Sequence, residues 1–385
     1  MDPLRIRARH YATARRVEIV VSGRLIESIH PLLDDRSELD AGWVAPALFD
    51  LQINGCRGGN FSSPSLTVDD IRHVFDVCRS HGIGGFCATV ITNSPDALAA
   101  CMSNLRDACE RDGEIADAIP AIHLEGPYLS PEDGPRGSHP RQHIRQPDWD
   151  EFCRLQESAG GRIRMVTLAP ELPGALGFID RLVKSGVVAA IGHTAASGQQ
   201  IQDAISAGAR LSTHLGNGAH AMLPRHPNYI WDQLAADQLW ASIICDGHHL
   251  PPSVVRTIAK VKTPARTILT CDAGSLADLP PGLYREWDQE LEILPEGKIV
   301  VAGSNYLAGS WVFTDTCVQN AIVYAGIDLR DAVDMASARP RELLGLPPRR
   351  LERGEPADLV LFNWHEHGEF EVVSTVARGI PYKAQ

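Results

Sequence analysis

The chain has 385 residues, 44% of them hydrophobic and 22% charged, and carries a formal net charge of −12. That length suits a single α/β barrel with a small appendage, and the composition is that of an ordinary globular protein. The acidic balance argues against a nucleic-acid partner, because phosphate backbones call for basic surface, while leaving room for a small anion in a local basic pocket.

The N-terminal MDPLRIRARHYATARRVEIVV has no apolar core ending in a small-residue cleavage site, so a secretory signal is not expected. No apolar run reaches the length of about 18 residues that a membrane span needs, so no membrane role is expected. RVEIVVSGRLIESI (16–29) reads as strands around a glycine turn. From residue 44 onward, short apolar runs alternate with amphipathic segments. The candidate strands are VAPALFDLQIN (44–54), GGFCATVIT (84–92), AIPAIHLE (118–125), IRMVTLAP (163–170), VVAAIGH (187–193), ARLSTH (209–214), WASIICD (240–246) and RTILTCD (266–272). Helical patterns lie between them, as in LTVDDIRHVFDVCRSHG (66–82), GALGFIDRLVKSG (174–186) and SGQQIQDAISAG (197–208), where Ser197 suits an N-cap. Two more helices are expected over 311–326 and 329–340.

Eight strand-then-helix units predict a (β/α)8 TIM-type barrel over 44–347. The Pro-rich LGLPPRRLERGEP (344–356) leads into another strand-rich stretch at 357–382. The segments 1–43 and 348–385 are therefore expected to pair into one small β-sandwich subdomain. The nine cysteines form no CxxC pair, and Cys87, Cys245 and Cys271 fall in apolar runs, which points to reduced, buried thiols in a cytoplasmic protein.

Four candidate strands close on acidic or imidazole side chains: Glu125 in HLEG, His193 in IGHT, His214 in STHLG and Asp272 in TCDAG. Strand carboxyl ends converge on the mouth of such a barrel, where active sites are built. One carboxylate and two imidazoles offer three ligands to a cation such as Zn2+ with a position left for water, and Asp272 is then placed to take the water's proton. A lone strand histidine is more often a hydrogen-bonded structural residue, and a lone strand-end glutamate is more often solvated. Together, at the ends of strands three, five, six and eight, they favour a metal site. The first strand poses a different question. Asp50, Gln52 and Asn54 are spaced by two, so they share one strand face, and polar groups facing a barrel interior need partners.

HLEGPYLS (123–130), IGHTAAS (191–197), STHLGN (212–217), ICDGHH (244–249), TCDAG (270–274), LAGS (307–310) and ASARPRELLGL (336–346) occur in the order seen in the amidohydrolase superfamily. Within it, the chain resembles the N-acetylglucosamine-6-phosphate deacetylase family from about residue 42 to 362. The resemblance implies metal-dependent release of acetate from an N-acetylamino sugar phosphate, and it carries the expectation of a homodimer. It implies one divalent ion, Zn2+ or alternatively Fe2+, held by Glu125, His193 and His214, with Asp272 as the catalytic base. Many amidohydrolases carry His-x-His where this chain has Gln52 and Asn54. Amides are poor substitutes for imidazole on zinc, so these two are expected beside a vacant second-metal position. By the same resemblance, His139 approaches the sugar and acetyl group. Asn217, Gly218 and His249 contact substrate, as does the backbone of Leu307, Ala308 and Gly309, and Arg225 matches the arginine on the 6-phosphate, where a guanidinium fork suits phosphate oxygens.

One segment departs from the family pattern. THLxNAM followed by Arg-Glu-Pro-Gly is replaced here by THLGNGAHAMLPRHPNYIWDQL, so His226 stands for the acid, Asn228 for the glycine, and Tyr229 and Trp231 follow. The phosphate contact is thereby less secure than the hydrolytic machinery, and an unphosphorylated or galacto-configured N-acetylamino sugar stays open as substrate. A different amidohydrolase reaction and a catalytically silent binding protein are the remaining alternatives.

Overall fold

A computed structural model describes residues 3–33, 38–286, 289–364 and 369–384. The HEHG portion of the predicted C-terminal strand region, 365–368, lies outside the described residues.

Eight parallel strands form the barrel: β1 Leu48–Ile53, β2 Ile83–Ile91, β3 Ala121–Glu125, β4 Ile163–Leu168, β5 Val188–Ile191, β6 Leu211–Ser212, β7 Trp240–Ile244 and β8 Thr267–Thr270. They neighbour one another in chain order, and a bridge between Ile53 and Ala273 closes the ring. Asp50 strengthens that closure. Fully buried on β1, it accepts the backbone N–H of Cys271 at 2.9 Å and the hydroxyl of Thr314 at 2.6 Å, and also takes the hydroxyl of Thr270. A carboxylate at such depth is tolerable because four donors, including the Gln52 N–H, meet it.

The predicted first strand, 44–54, is divided at Ala47. Its first part, Trp43–Pro46, joins the peripheral sheet, and only its second part enters the barrel. The sixth predicted strand contracts to two residues because the chain turns sharply at the barrel mouth. The helices fall where their periodicity puts them. Val68–Ser80 begins with a capping box from Thr67 and Asp70, and Gly198–Ser206 begins with one from Ser197 and Gln200. The predicted 329–340 helix is broken into Leu329–Met335 and Ala338–Leu343.

The terminal segments meet in one seven-stranded mixed sheet, in which Trp43–Pro46 pairs parallel to Leu4–His10 and antiparallel to Leu359–Trp364. Ile6, Ile19, Ile26, Leu359, Leu361 and Val376 bury their side chains together, so strands distant in sequence share one apolar cluster. All nine cysteines are free and eight are buried. No helix among the described residues is long and apolar enough to cross a membrane.

Sequence periodicity left one element unread. After β8, the strands Gly282–Glu286, Gln289–Ile293 and Ile299–Val301 form a three-stranded antiparallel flap with its own small core of Leu276, Leu291, Ile293 and Ile299. The alternation in QELEI and KIVV around a Pro-Glu-Gly turn was the available signal.

Candidate active site

Glu125 is the last residue of β3, while His193, His214 and Asp272 each stand two residues beyond β5, β6 and β8. Those three share an uncommon backbone state, with φ of 51°, 29° and 56° for His193, His214 and Asp272. Non-glycine residues rarely adopt left-handed φ, and such strain gathers where a side chain must be aimed. Here the turn swings each side chain inward over the mouth instead of along the strand.

The aim is convergent. His193 Nε2 and His214 Nε2 lie 3.1 Å apart, and Glu125 Oε1 lies 3.3 Å from the first and 3.1 Å from the second. All three residues are buried. The carbonyl of Pro135, 2.8 Å from His193 Nδ1, can only accept, so Nδ1 carries the hydrogen and Nε2 presents its lone pair. His214 Nδ1 is buried without a hydrogen-bond partner among the described residues. Two imidazole nitrogens pressed together against one carboxylate oxygen are a donor set short of a cation, and the residues fit a divalent ion. Burial pushes the Glu125 carboxyl up, but hydrogen bonds and charge from His193 and His214 outweigh it and hold the group well below the usual range.

Asp272 answers the question posed by the first strand. Gln52 Nε2 and Asn54 Nδ2 donate to its Oδ1 at 2.8 and 2.7 Å, and Gln52 Nε2 also reaches Glu125 Oε1 at 2.9 Å. The amides thus bridge two buried carboxylates. Burial, then the charge of Glu125, push the Asp272 carboxyl up to about 8, against the opposing pull of His214 and the Asn54 amide. That range suits a group that takes and returns a proton near neutral pH.

A cavity of about 570 Å3 opens above these groups. His139 stands in its wall, 3.9 Å from Glu125 Oε2, with Nδ1 sharing a hydrogen bond with Thr92 Oγ1 at 2.9 Å. Burial first, and the charge of His193 second, bring its imidazole down to about 3, so the ring is neutral at pH 7. His249 also lines the cavity, its Nδ1 held 2.6 Å from Asp246 Oδ2. Asn217, Gly218, Leu307, Ala308 and Gly309 all reach the wall. Gly218 has a positive φ of 55°, and a Cβ there would stand 2.8 Å from His193 Nδ1. Arg225 is different. It is exposed on the loop between Leu215 and Asn228 and does not line the cavity.

Sequence reasoning did not single out Pro135, Thr92, Ser138, Asn305 or Tyr306. The first two orient His193 and His139, and the last three line the cavity. The flap brings Asn305 and Tyr306 there: Val301 donates its N–H to Tyr306 O at 2.9 Å, and Gln289 Nε2 donates to Ser138 O at 3.4 Å.

Comparison with known proteins fits this geometry. The sequence profile of the Amidohydrolase family matches residues 43–380, most of the chain. The chain belongs to the amidohydrolase family. Its relatives are sugar phosphate deacetylases. The chain is 30% identical to N-acetylgalactosamine-6-phosphate deacetylase of Escherichia coli O157:H7, over 86% of this chain and 85% of that one. It is 32% identical to human N-acetylglucosamine-6-phosphate deacetylase, over 89% and 84%. Among solved structures, N-acetyl-D-glucosamine-6-phosphate deacetylase of Mycobacterium smegmatis, as a mutant in complex with N-acetyl-D-glucosamine-6-phosphate, superposes with a TM-score of 0.89 at 30% identity, covering 99% of each chain. This amidohydrolase is an enzyme of the amino sugar phosphate deacetylase group.

Proposed function

We propose that this amidohydrolase releases acetate from an N-acetylated amino sugar with one bound divalent ion, held by Glu125, His193 and His214. The observation that carries this reading is the meeting of those three donors beside Asp272 at the floor of one cavity. A divalent ion in that set lowers the pKa of water and polarises a carbonyl. Zn2+ is the first candidate, with Fe2+ accepting the same ligands.

The chain's own residues do the rest. Asp272 takes a proton from the attacking water as its oxygen bonds to the acetyl carbon. The carbonyl electrons move onto oxygen, where His139, neutral and fixed through Thr92, is placed to steady the developing charge. The C–N bond then breaks, and Asp272 returns the proton to the departing nitrogen, giving acetate and a free amine. Gln52 and Asn54 hold the Asp272 carboxylate at one oxygen and leave the other free for proton transfer. Asn217, Gly218, His249 and the backbone of Leu307, Ala308 and Gly309 form the walls that hold the sugar.

N-acetylglucosamine 6-phosphate and its galacto epimer are the first substrates to assay, since the relatives bear those names. The test is acetate release by the metal-loaded protein, lost in Asp272→Asn with metal retained. Full activity in that variant would remove Asp272 from the mechanism. In this reading the protein works as a cytoplasmic homodimer, to be checked by fractionation and by sedimentation.

A further inference from the structure

His193, His214 and Asp272 are aimed by left-handed turns that each residue alone disfavours, so the surroundings must hold that backbone in place. In all three cases a side-chain acceptor on an adjacent strand, or on the loop just past it, grips a backbone N–H within two positions of the turn. Asp50 on β1 accepts the N–H of Cys271 at 2.9 Å, and Ser242 Oγ on β7 accepts the N–H of His214 at 2.8 Å. For His193 the acceptor is Glu171, three residues past β4, the strand beside β5.

Glu171 grips its turn with both oxygens. Oε1 accepts the N–H of Ala195 at 2.7 Å, and Oε2 accepts the hydroxyl of Thr194 at 2.5 Å. The Thr194 oxygen in turn accepts the N–H of Ala196 at 3.0 Å. The three residues after His193 are thus tied to one carboxylate, two of them directly, and hydrogen bonds to an ionised acceptor are the stronger kind. On the other side, Ser130 donates its N–H to the His193 carbonyl at 3.0 Å. Pro135 sets which ring nitrogen faces the ligand cluster, and Glu171 sets where the ring is attached. Glu171 is half-buried and does not line the cavity, so it reaches the site through the turn that carries His193.

We propose that Glu171 is a positioning residue for the metal centre: by clamping Thr194 and Ala195 it holds His193 Nε2 in its ligand pose beside His214 and Glu125. Donor atoms that converge this closely repel one another until a cation lies among them. A clamped attachment keeps the imidazole from swinging away, so less reorganisation opposes binding of the ion. The inference rests on the metal-dependent part of the proposed reading and is independent of the sugar.

The experiment measures Zn2+ affinity of the full chain by competition with a chromophoric chelator, and records the visible spectrum of the Co2+-loaded protein. Glu171→Ala is expected to weaken Zn2+ binding by about 10-fold to 100-fold, the scale for losing a ligand's outer support, and to change the Co2+ bands. Glu171→Gln keeps an oxygen for the Ala195 N–H, so its affinity is expected to lie between those of Glu171→Ala and wild type. A loss as large as that in Glu171→Ala overturns the clamp, because it would assign the effect to charge alone. Thr194→Val removes only the hydroxyl limb and is expected to weaken binding severalfold. Affinity of Glu171→Ala within about threefold of wild type overturns the proposal, the outer-support scale being tenfold or more. A lower Tm of the metal-free variant without loss of affinity overturns it too, since the carboxylate would then brace the fold alone. If Glu171→Ala does not fold, Thr194→Val decides: a severalfold loss supports the clamp, and wild-type affinity overturns it. A wild-type chain that takes up no Zn2+ overturns the metal reading itself, and this inference with it.

Discussion

The amide of Gln52 donates to Asp272 Oδ1 at 2.8 Å, and the same nitrogen reaches Glu125 Oε1 at 2.9 Å. One neutral side chain thereby separates two buried carboxylates that would otherwise repel, and it does so from the strand position at which many family members carry a metal-binding histidine. Replacing Gln52 with Leu removes that bridge without adding charge. Turnover is expected to fall about 10-fold to 100-fold, with the acid limb of the pH profile moving upward because an unbridged Asp272 holds its proton more tightly. An unshifted limb would mean that the amide only braces the barrel.

Asp272→Asn preserves an oxygen able to accept from both Gln52 and Asn54, so the fold and the ligand cluster are expected to persist. Loss of the proton acceptor is expected to lower kcat by about 10²-fold to 10⁴-fold. Metal content and acetate release measured on one preparation separate these effects.

Gly218 lies against the ring of His193, with left-handed φ and space for hydrogen alone. Gly218→Ala is expected to displace that imidazole and weaken metal affinity by about 10-fold to 100-fold, the usual scale for disturbing a ligand's support. Competition with a chromophoric chelator reads this directly. Unchanged affinity would show that the loop yields without moving His193.

Removal of metal is expected to abolish activity reversibly and to lower Tm, since an ion that binds only the folded state stabilises it by mass action. Titration back is expected to saturate at one equivalent. Recovery needing two equivalents would show that the position beside Gln52 and Asn54 also takes an ion.

Asp246 holds His249 on the cavity wall. Burial pushes its carboxyl up, but the hydrogen bond and charge of His249 and the N–H groups of His249 and His248 outweigh this and hold it below its usual value. A depressed carboxylate contributes stability that is present above the unfolded value, about 4, and is lost as pH falls through the folded one. Asp246→Asn is therefore expected to destabilise by about 1–3 kcal/mol at pH 7, with the gap to wild type closing below about pH 4. Thermal melts at pH 7 and pH 3.5 test the sign, and a gap of constant size would contradict it.

Much of this was legible in the residues themselves. Alternation of short apolar runs with amphipathic helices gives the barrel, because burial on two faces imposes that pattern on parallel strands. Glu125, His193, His214 and Asp272 stood out because ionisable side chains at the ends of apolar strands are costly unless they converge on something. Local sequence could not say that His193, His214 and Asp272 would take left-handed turns, since that conformation is unfavourable for each alone and is held by the packed barrel around it. Nor could it say that Gln52 would face Asp272, 220 positions away, or that Tyr229 would bond His220 across the loop that carries Arg225. Such contacts depend on which loops the closed barrel brings side by side, and only the assembled chain fixes those distances.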